Sequence, residues 1–173
     1  MKNQNELFEA VDPFRILLAE DDEDDFYFFN LAFTSLPGSF NLLRTSNGIM
    51  LSSLLQSPVQ LDAIFLDINM PYKNGIHCLK EIRNNPTFNS TRVVMYTTSG
   101  NPKDIDACYS AGANFYIIKP YDFTSGVEQL KSLLGNCYFK TNQTPPRSNF
   151  VIELNSEISH HFTPTPIRQY LYR

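Results

Sequence analysis

Six acids occupy consecutive positions, Glu20, Asp21, Asp22, Glu23, Asp24 and Asp25, directly after the apolar run Ile16-Leu17-Leu18-Ala19. Carboxylates crowded at the end of a buried strand repel one another and lose solvation, a cost that a bound cation or a solvent-filled site offsets. Other apolar runs end on groups of complementary chemistry. Asp67 follows Ala63-Ile64-Phe65-Leu66, Thr97 follows Val93-Val94-Met95-Tyr96, and Lys119 with Pro120 follows Tyr116-Ile117-Ile118. In a parallel α/β sheet all four strand ends open onto one crevice, so these side chains are expected to meet. The set suits phosphoryl transfer to a carboxylate. Asp67 is the nucleophile, and Glu20 and Asp21, with help from Asp67, hold a divalent cation, for which Mg2+ fits by its preference for hard oxygen ligands. Lys119 holds one phosphoryl oxygen as a point charge and the Thr97 hydroxyl donates to another.

The elements that must position these residues alternate along the chain. Strand-like runs at 14–19, 40–45, 62–67, 91–97 and 114–118 are separated by helix-like segments at 24–36, 47–57, 75–84, 101–111 and 123–138. That alternation predicts βαβ units and a mainly parallel sheet. The runs 64–67 and 115–118 are apolar without a period of two, as strands covered on both faces are. Asn101-Pro102 supplies an N-cap with proline at the first helical position, and Gly112 a C-terminal stop. In the first helix Phe26, Phe29 and Phe33 share the core face, which leaves Tyr27, Phe28 and Leu31 outward. Two readings stand side by side for that outer face: cover by the N-terminal residues, or a docking surface for a kinase or phosphotransfer helix.

The chain of 173 residues is read as one domain with appendages, namely an N-terminal extension at 1–12, the domain at 13–139 and a tail at 140–173. The tail is rich in Pro, Thr and Asn and is expected to be flexible, although two apolar islands, 150–154 and 167–172, are candidates for docking. A net charge of -4 and a pI near 5.3 argue against nucleic acid or an anionic membrane as partner. Residues 140–173 carry two acids against four Lys and Arg, opposite in sign to the rest. Capture of a partner, or self-association as a homodimer, is a hypothesis for this segment. Cys78, Cys108 and Cys137 have no metal-ligand spacing and no even count for a disulfide framework, and no signal peptide or membrane span is read, so a cytoplasmic setting is expected. His160-His161 is read as carrying no metal site.

At this point the residues resemble a known family, the receiver domains of two-component response regulators. The resemblance covers Phe14 to Tyr138 and rests on Ile16-Leu17-Leu18-Ala19-Glu20-Asp21-Asp22, on Leu66-Asp67-Ile68-Asn69-Met70-Pro71 with Gly75, on Thr97-Thr98-Ser99, and on Tyr116-Ile117-Ile118-Lys119-Pro120. It implies a doubly wound, flavodoxin-like (βα)5 fold whose five-stranded parallel sheet has the order 2-1-3-4-5. It implies Asp67 as phospho-acceptor, Glu20 and Asp21 as the acidic pair around Mg2+, and the Asn69 carbonyl as a further ligand. Thr97 and Tyr116 match the switch positions, and Lys119 the phosphate contact. The phosphodonor implied is a histidine kinase or histidine phosphotransfer protein. The resemblance also implies that the domain catalyses its own phosphorylation and dephosphorylation at Asp67, and no dedicated enzyme is expected. With no output domain read in the tail, a stand-alone regulator signalling through protein contacts is implied.

Glu23, Asp24 and Asp25 are read as a solvated helix N-terminus, where acids are favoured anyway. The Lys119-Pro120 bond is a candidate cis peptide that would aim the lysine inward. A receiver-like binding module that works without phosphorylation is the alternative function, and the intact set Glu20, Asp21, Asp67, Thr97 and Lys119 weighs against it. An aspartyl-phosphate phosphatase is disfavoured because such enzymes commonly carry a second acid two positions past the nucleophile, where this chain has Asn69.

Overall fold

Each apolar run that ends on a reactive group forms a strand of a single sheet, and each intervening segment returns the chain to the same edge. The structure is a computed structural model and describes residues 12–152. In chain order the elements are β1 (Phe14–Ala19), α1 (Glu23–Thr34), β2 (Phe40–Thr45), α2 (Gly48–Leu54), β3 (Ala63–Leu66), α3 (Gly75–Asn84), β4 (Arg92–Thr97), α4 (Pro102–Ser110), β5 (Phe115–Ile118), α5 (Phe123–Gly135) and α6 (Cys137–Lys140). The sheet runs β2-β1-β3-β4-β5 with every pairing parallel, the doubly wound order expected above.

Register aligns the strand ends. Ala19 pairs with Leu66, Leu66 with Met95, and Thr97 with Ile118, so Glu20, Asp67, Thr97 and Lys119 all emerge at one edge. The backbone ties them together there: the Asp67 amide donates to Ala19 at 3.0 Å, and that of Lys119 to Thr97 at 2.8 Å.

Two apolar layers hold the sheet. On one face Phe29 and Phe33 of α1 and Leu130, Leu133 and Leu134 of α5 cover Ile16, Leu18, Phe65 and Ile117. The Phe29 ring meets Phe65 at 4.8 Å and Tyr96 at 5.2 Å, both edge to face, an arrangement that aromatic quadrupoles favour. On the other face α2, α3 and α4 bury Leu51, Leu79, Ile82 and Ile105 against Leu17, Ile64, Val93 and Tyr116. Cys78 and Cys108 pack in this second layer, and Cys137 is exposed. Each helix start is capped by a side chain of the expected type; Asp22 accepts from the amides of Asp24 and Asp25, and Asn101 from that of Lys103. The long final helix read at 123–138 is divided. Asn136 leaves helical geometry (φ -69, ψ 131) and caps the short α6.

The chain after α6 returns to the domain. Phe150 is fully buried, with its ring 5.0 Å from Tyr109 and 6.1 Å from Tyr116. The Tyr116 amide donates to the Phe150 carbonyl, and the Ile152 amide to the Tyr116 carbonyl, each at 2.9 Å, so Val151 forms a parallel bridge on the free edge of β5. Arg147 pairs with Asp106 of α4 at 2.7 Å. The first of the two candidate islands in the tail thus docks as far as Ile152, held by one large aromatic in a slot and two ladder bonds on an open edge, where the composition of the segment around it points to flexibility. The extension at 1–11, the rest of the tail from 153, including its second island, and His160-His161 lie outside the described residues. Among the described residues no helix is long and apolar enough to cross a membrane.

Candidate functional site

The first turn after β1 and the first residue after β3 build the acidic half of the site. Glu20, Asp21 and Asp67 each offer a carboxylate oxygen within 4.8 Å of the others. Glu20 and Asp67 are buried and Asp21 is exposed. Three hard oxygen donors with one side open to water fit an ion such as Mg2+, which keeps part of its hydration shell. Burial pushes the Glu20 carboxyl up to about 7, against the lowering pull of Lys119. A cation beside Glu20 opposes that shift by favouring the ionised form.

Gly75, at the start of α3, lets the backbones approach. A Cβ there would lie 2.0 Å from the Asp67 carbonyl oxygen, so any side chain would push apart the loop that presents Asp67. The Gly75 amide closes this loop by donating to Ile68 at 2.9 Å. Asn69 sits exposed within it, its amide 3.3 Å from Asp67 Oδ1.

Lys119 supplies the positive half. Its Nζ lies 2.6 Å from Glu20 Oε2, 2.8 Å from Asp25 Oδ2 and 3.3 Å from Asp67 Oδ2. The contact to Glu20 is an ion pair without an aligned hydrogen bond, because Oε2 has no partner that meets hydrogen-bond geometry. Burial alone would pull the Lys119 pKa down, but the hydrogen bond it donates to Asp25, the close pairing with Glu20 and the charge of Asp67 outweigh it and raise it. The lysine reaches inward through a trans peptide, since no cis bond occurs among the described residues.

Asp25 is the residue that sequence reasoning missed. Its position suits a solvated helix end, yet the first turn of α1 brings its carboxylate onto the lysine while leaving its side chain 39% exposed. The signal available was its place one helical turn past Asp21, on the face that turns toward the sheet.

Thr97 is fully buried, and its Oγ accepts from the Ser99 amide at 3.4 Å. Tyr116 is buried too, and its hydroxyl donates to the Ser99 carbonyl at 2.7 Å. The two expected switch residues therefore meet the same loop, between β4 and α4. On α1, Tyr27, Phe28 and Leu31 are 60%, 54% and 40% exposed, and Phe28 lines a groove with Lys119, Tyr121 and Phe123 beside the site.

A five-stranded doubly wound sheet in the order β2-β1-β3-β4-β5, with carboxylates, a threonine and a lysine at its carboxyl edge, has the architecture of the receiver class of proteins. The profile of the response regulator receiver domain matches residues 16–131, and the chain belongs to that family. Among its relatives, a chemotaxis protein CheY homolog of Campylobacter jejuni is 29% identical over 98 residues, covering 57% of this chain and 75% of the relative. The response regulator Rcp1 of Synechocystis is 31% identical over 117 residues, covering 64% of this chain and 80% of the relative. The crystal structure of the Mn2+-bound form of response regulator Rcp1 superposes with a TM-score of 0.66 at 28% identity, covering 78% of this chain and all of that one.

Proposed function

We propose that the protein accepts a phosphoryl group on Asp67 from the phosphohistidine of a histidine kinase or phosphotransfer protein, in a reaction that depends on Mg2+. The observation that carries this reading is the meeting of three carboxylates within 4.8 Å with the Lys119 ammonium at 3.3 Å from Asp67. An Asp67 oxygen forms the new P–O bond as the P–N bond to the donor imidazole breaks, and the imidazole leaves with the bonding electron pair and takes up a proton. Glu20 and Asp21, with Asp67 and the Asn69 carbonyl, would hold the ion, which when bound neutralises charge on the transferring group. Lys119 gives up its carboxylate partners to contact one phosphoryl oxygen, and the Thr97 hydroxyl turns to another. Tyr116, bonded to the same loop as Thr97, carries the change toward α4 and β5, where protein partners read it. Dephosphorylation is a separate hydrolysis, in which water attacks phosphorus, the P–O bond to Asp67 breaks, and inorganic phosphate leaves with the carboxylate restored.

Beryllofluoride, a phosphoryl mimic, tests this reading against a module that works without phosphorylation. Amide shifts at Thr97, Ser99 and Tyr116 that require both Mg2+ and beryllofluoride support transfer. Binding that is equally tight in excess chelator contradicts the role of the ion.

A further inference from the structure

Arg44, near the end of β2, reaches across the sheet edge to the acidic turn. Its Nε donates to the Glu20 carbonyl at 3.2 Å and its Nη2 to the Asp21 carbonyl at 3.1 Å. The guanidinium also lies 4.7 Å from the centroid of the Phe26 ring, on α1. β2 sets this geometry: Leu18 pairs with Arg44 and Ala19 with Thr45, and the Glu20 amide donates to Thr45 at 2.9 Å. The side chain therefore starts level with Leu18, two positions before the first acid, and reaches along the sheet toward the turn.

We propose that Arg44 is a positioning residue for the cation site, clamping the two peptide groups from which Glu20 and Asp21 project. The proposal rests on the reading that these acids hold a divalent cation. Glu20 is already held by burial and Lys119, whereas Asp21 is exposed, so the direction of its carboxylate depends on the backbone that carries it. A planar fork bonded to consecutive carbonyls while stacked on Phe26 fixes both peptide planes at once. A lysine has the charge but neither the fork nor the stacking. The same contacts link the turn to α1, whose first residues include Asp25.

The sign of one measurement separates a clamp from a charge. Arg44 is a cation beside a cation site, so by Coulomb's law alone its removal tightens metal binding. Loss of a clamp loosens it. Mn2+ affinity of the full chain, read from the electron paramagnetic resonance of the free ion, is compared among wild type, Arg44→Met and Arg44→Lys. Both variants are expected to bind Mn2+ about fivefold more weakly or worse, the loss that follows from about one net hydrogen bond. The Asp22 amide, which donates to Glu20 Oε1, is expected to shift in the metal-free NMR spectrum of both.

Arg44→Met binding as tightly as wild type, or more tightly, overturns the proposal. So does full recovery in Arg44→Lys, which would assign the effect to charge, or a lowered melting midpoint with unchanged affinity, which would leave only a stabilising role. Failure of the cation reading itself looks different: wild type and Asp21→Ala would then bind Mn2+ equally poorly, whatever stands at position 44.

Discussion

Lys119 Nζ lies nearer to Asp25, at 2.8 Å, than to Asp67, at 3.3 Å. The lysine assigned to the phosphoryl group is thus held in part by an acid outside the three-carboxylate cluster, and phosphorylation must compete with that acid. Asp25→Asn is expected to tighten beryllofluoride binding in Mg2+ by about two- to fivefold, a charged contact discounted for the exposure of Asp25. Asp24→Asn removes the same charge from the same turn without the lysine contact and serves as control. Equal effects in the two variants would reduce the Asp25 contact to general electrostatics.

Glu20 is expected to make metal binding depend on pH. With its carboxyl raised to about 7, proton and cation compete for the same oxygens. Mg2+ affinity is expected to fall as pH drops through about 7, with a slope approaching tenfold per unit. The metal-free fold is expected to show the opposite trend in stability. Between the ordinary carboxylate range and about 7 the folded chain holds a proton that the unfolded chain has released, so this contribution declines as pH rises. Asp22, Glu81 and Asp122, whose pKa values are lowered, stabilise above the carboxylate range and lose that effect only as pH falls through it. Calorimetric titrations from pH 5.5 to 8, beside Glu20→Gln, check the assignment; a slope that survives in the variant belongs to another group.

Gly75→Ala places a methyl group against the Asp67 carbonyl. Its expected cost is about 1–3 kcal/mol of stability, as for other forced contacts in packed interiors, together with loss of Mg2+-dependent beryllofluoride binding. Thermal melting and NMR titration measure the two effects separately. Wild-type binding in a folded variant would show that the loop can present Asp67 without this close approach.

Phe150 joins the segment after α6 to the switch residue Tyr116. Phe150→Ala is expected to cost about 3–5 kcal/mol, the usual range for a buried aromatic. Ending the chain after Ile152 keeps every described contact of this segment, whereas ending it after Asn142 opens the β5 edge and the slot between Tyr109 and Tyr116. Melting midpoints of the two truncations should therefore separate, with phosphorylation of Asp67 retained in the longer one. Equal midpoints would contradict a stabilising role for residues 143–152.

The layout of the sheet was legible because parallel α/β folds leave clear marks. Central strands are unbroken apolar runs, and reactive residues stand immediately after Ala19, Leu66, Tyr96 and Ile118, at one edge. Other contacts depend on angles that spacing does not carry. That Asp25, besides Glu20, faces Lys119 is set by the phase of α1 and the path of the chain after β5. Arg44 reads as an ordinary residue of an edge strand until the turn it reaches is in place. Phe150 stands in one of the two apolar islands that mark the tail as able to dock, but the Thr and Pro around it carry no sign of which sheet edge or slot receives it.

The central claim is tested most directly by the intact mass of the full chain after incubation with Mg2+ and a small acyl-phosphate donor. The account expects wild type to gain one phosphoryl group, with no gain in Asp67→Asn or in excess chelator. A gain of the same size in Asp67→Asn would place the acceptor elsewhere, and an unmodified wild type under conditions where beryllofluoride binds would contradict phosphoryl transfer to this site.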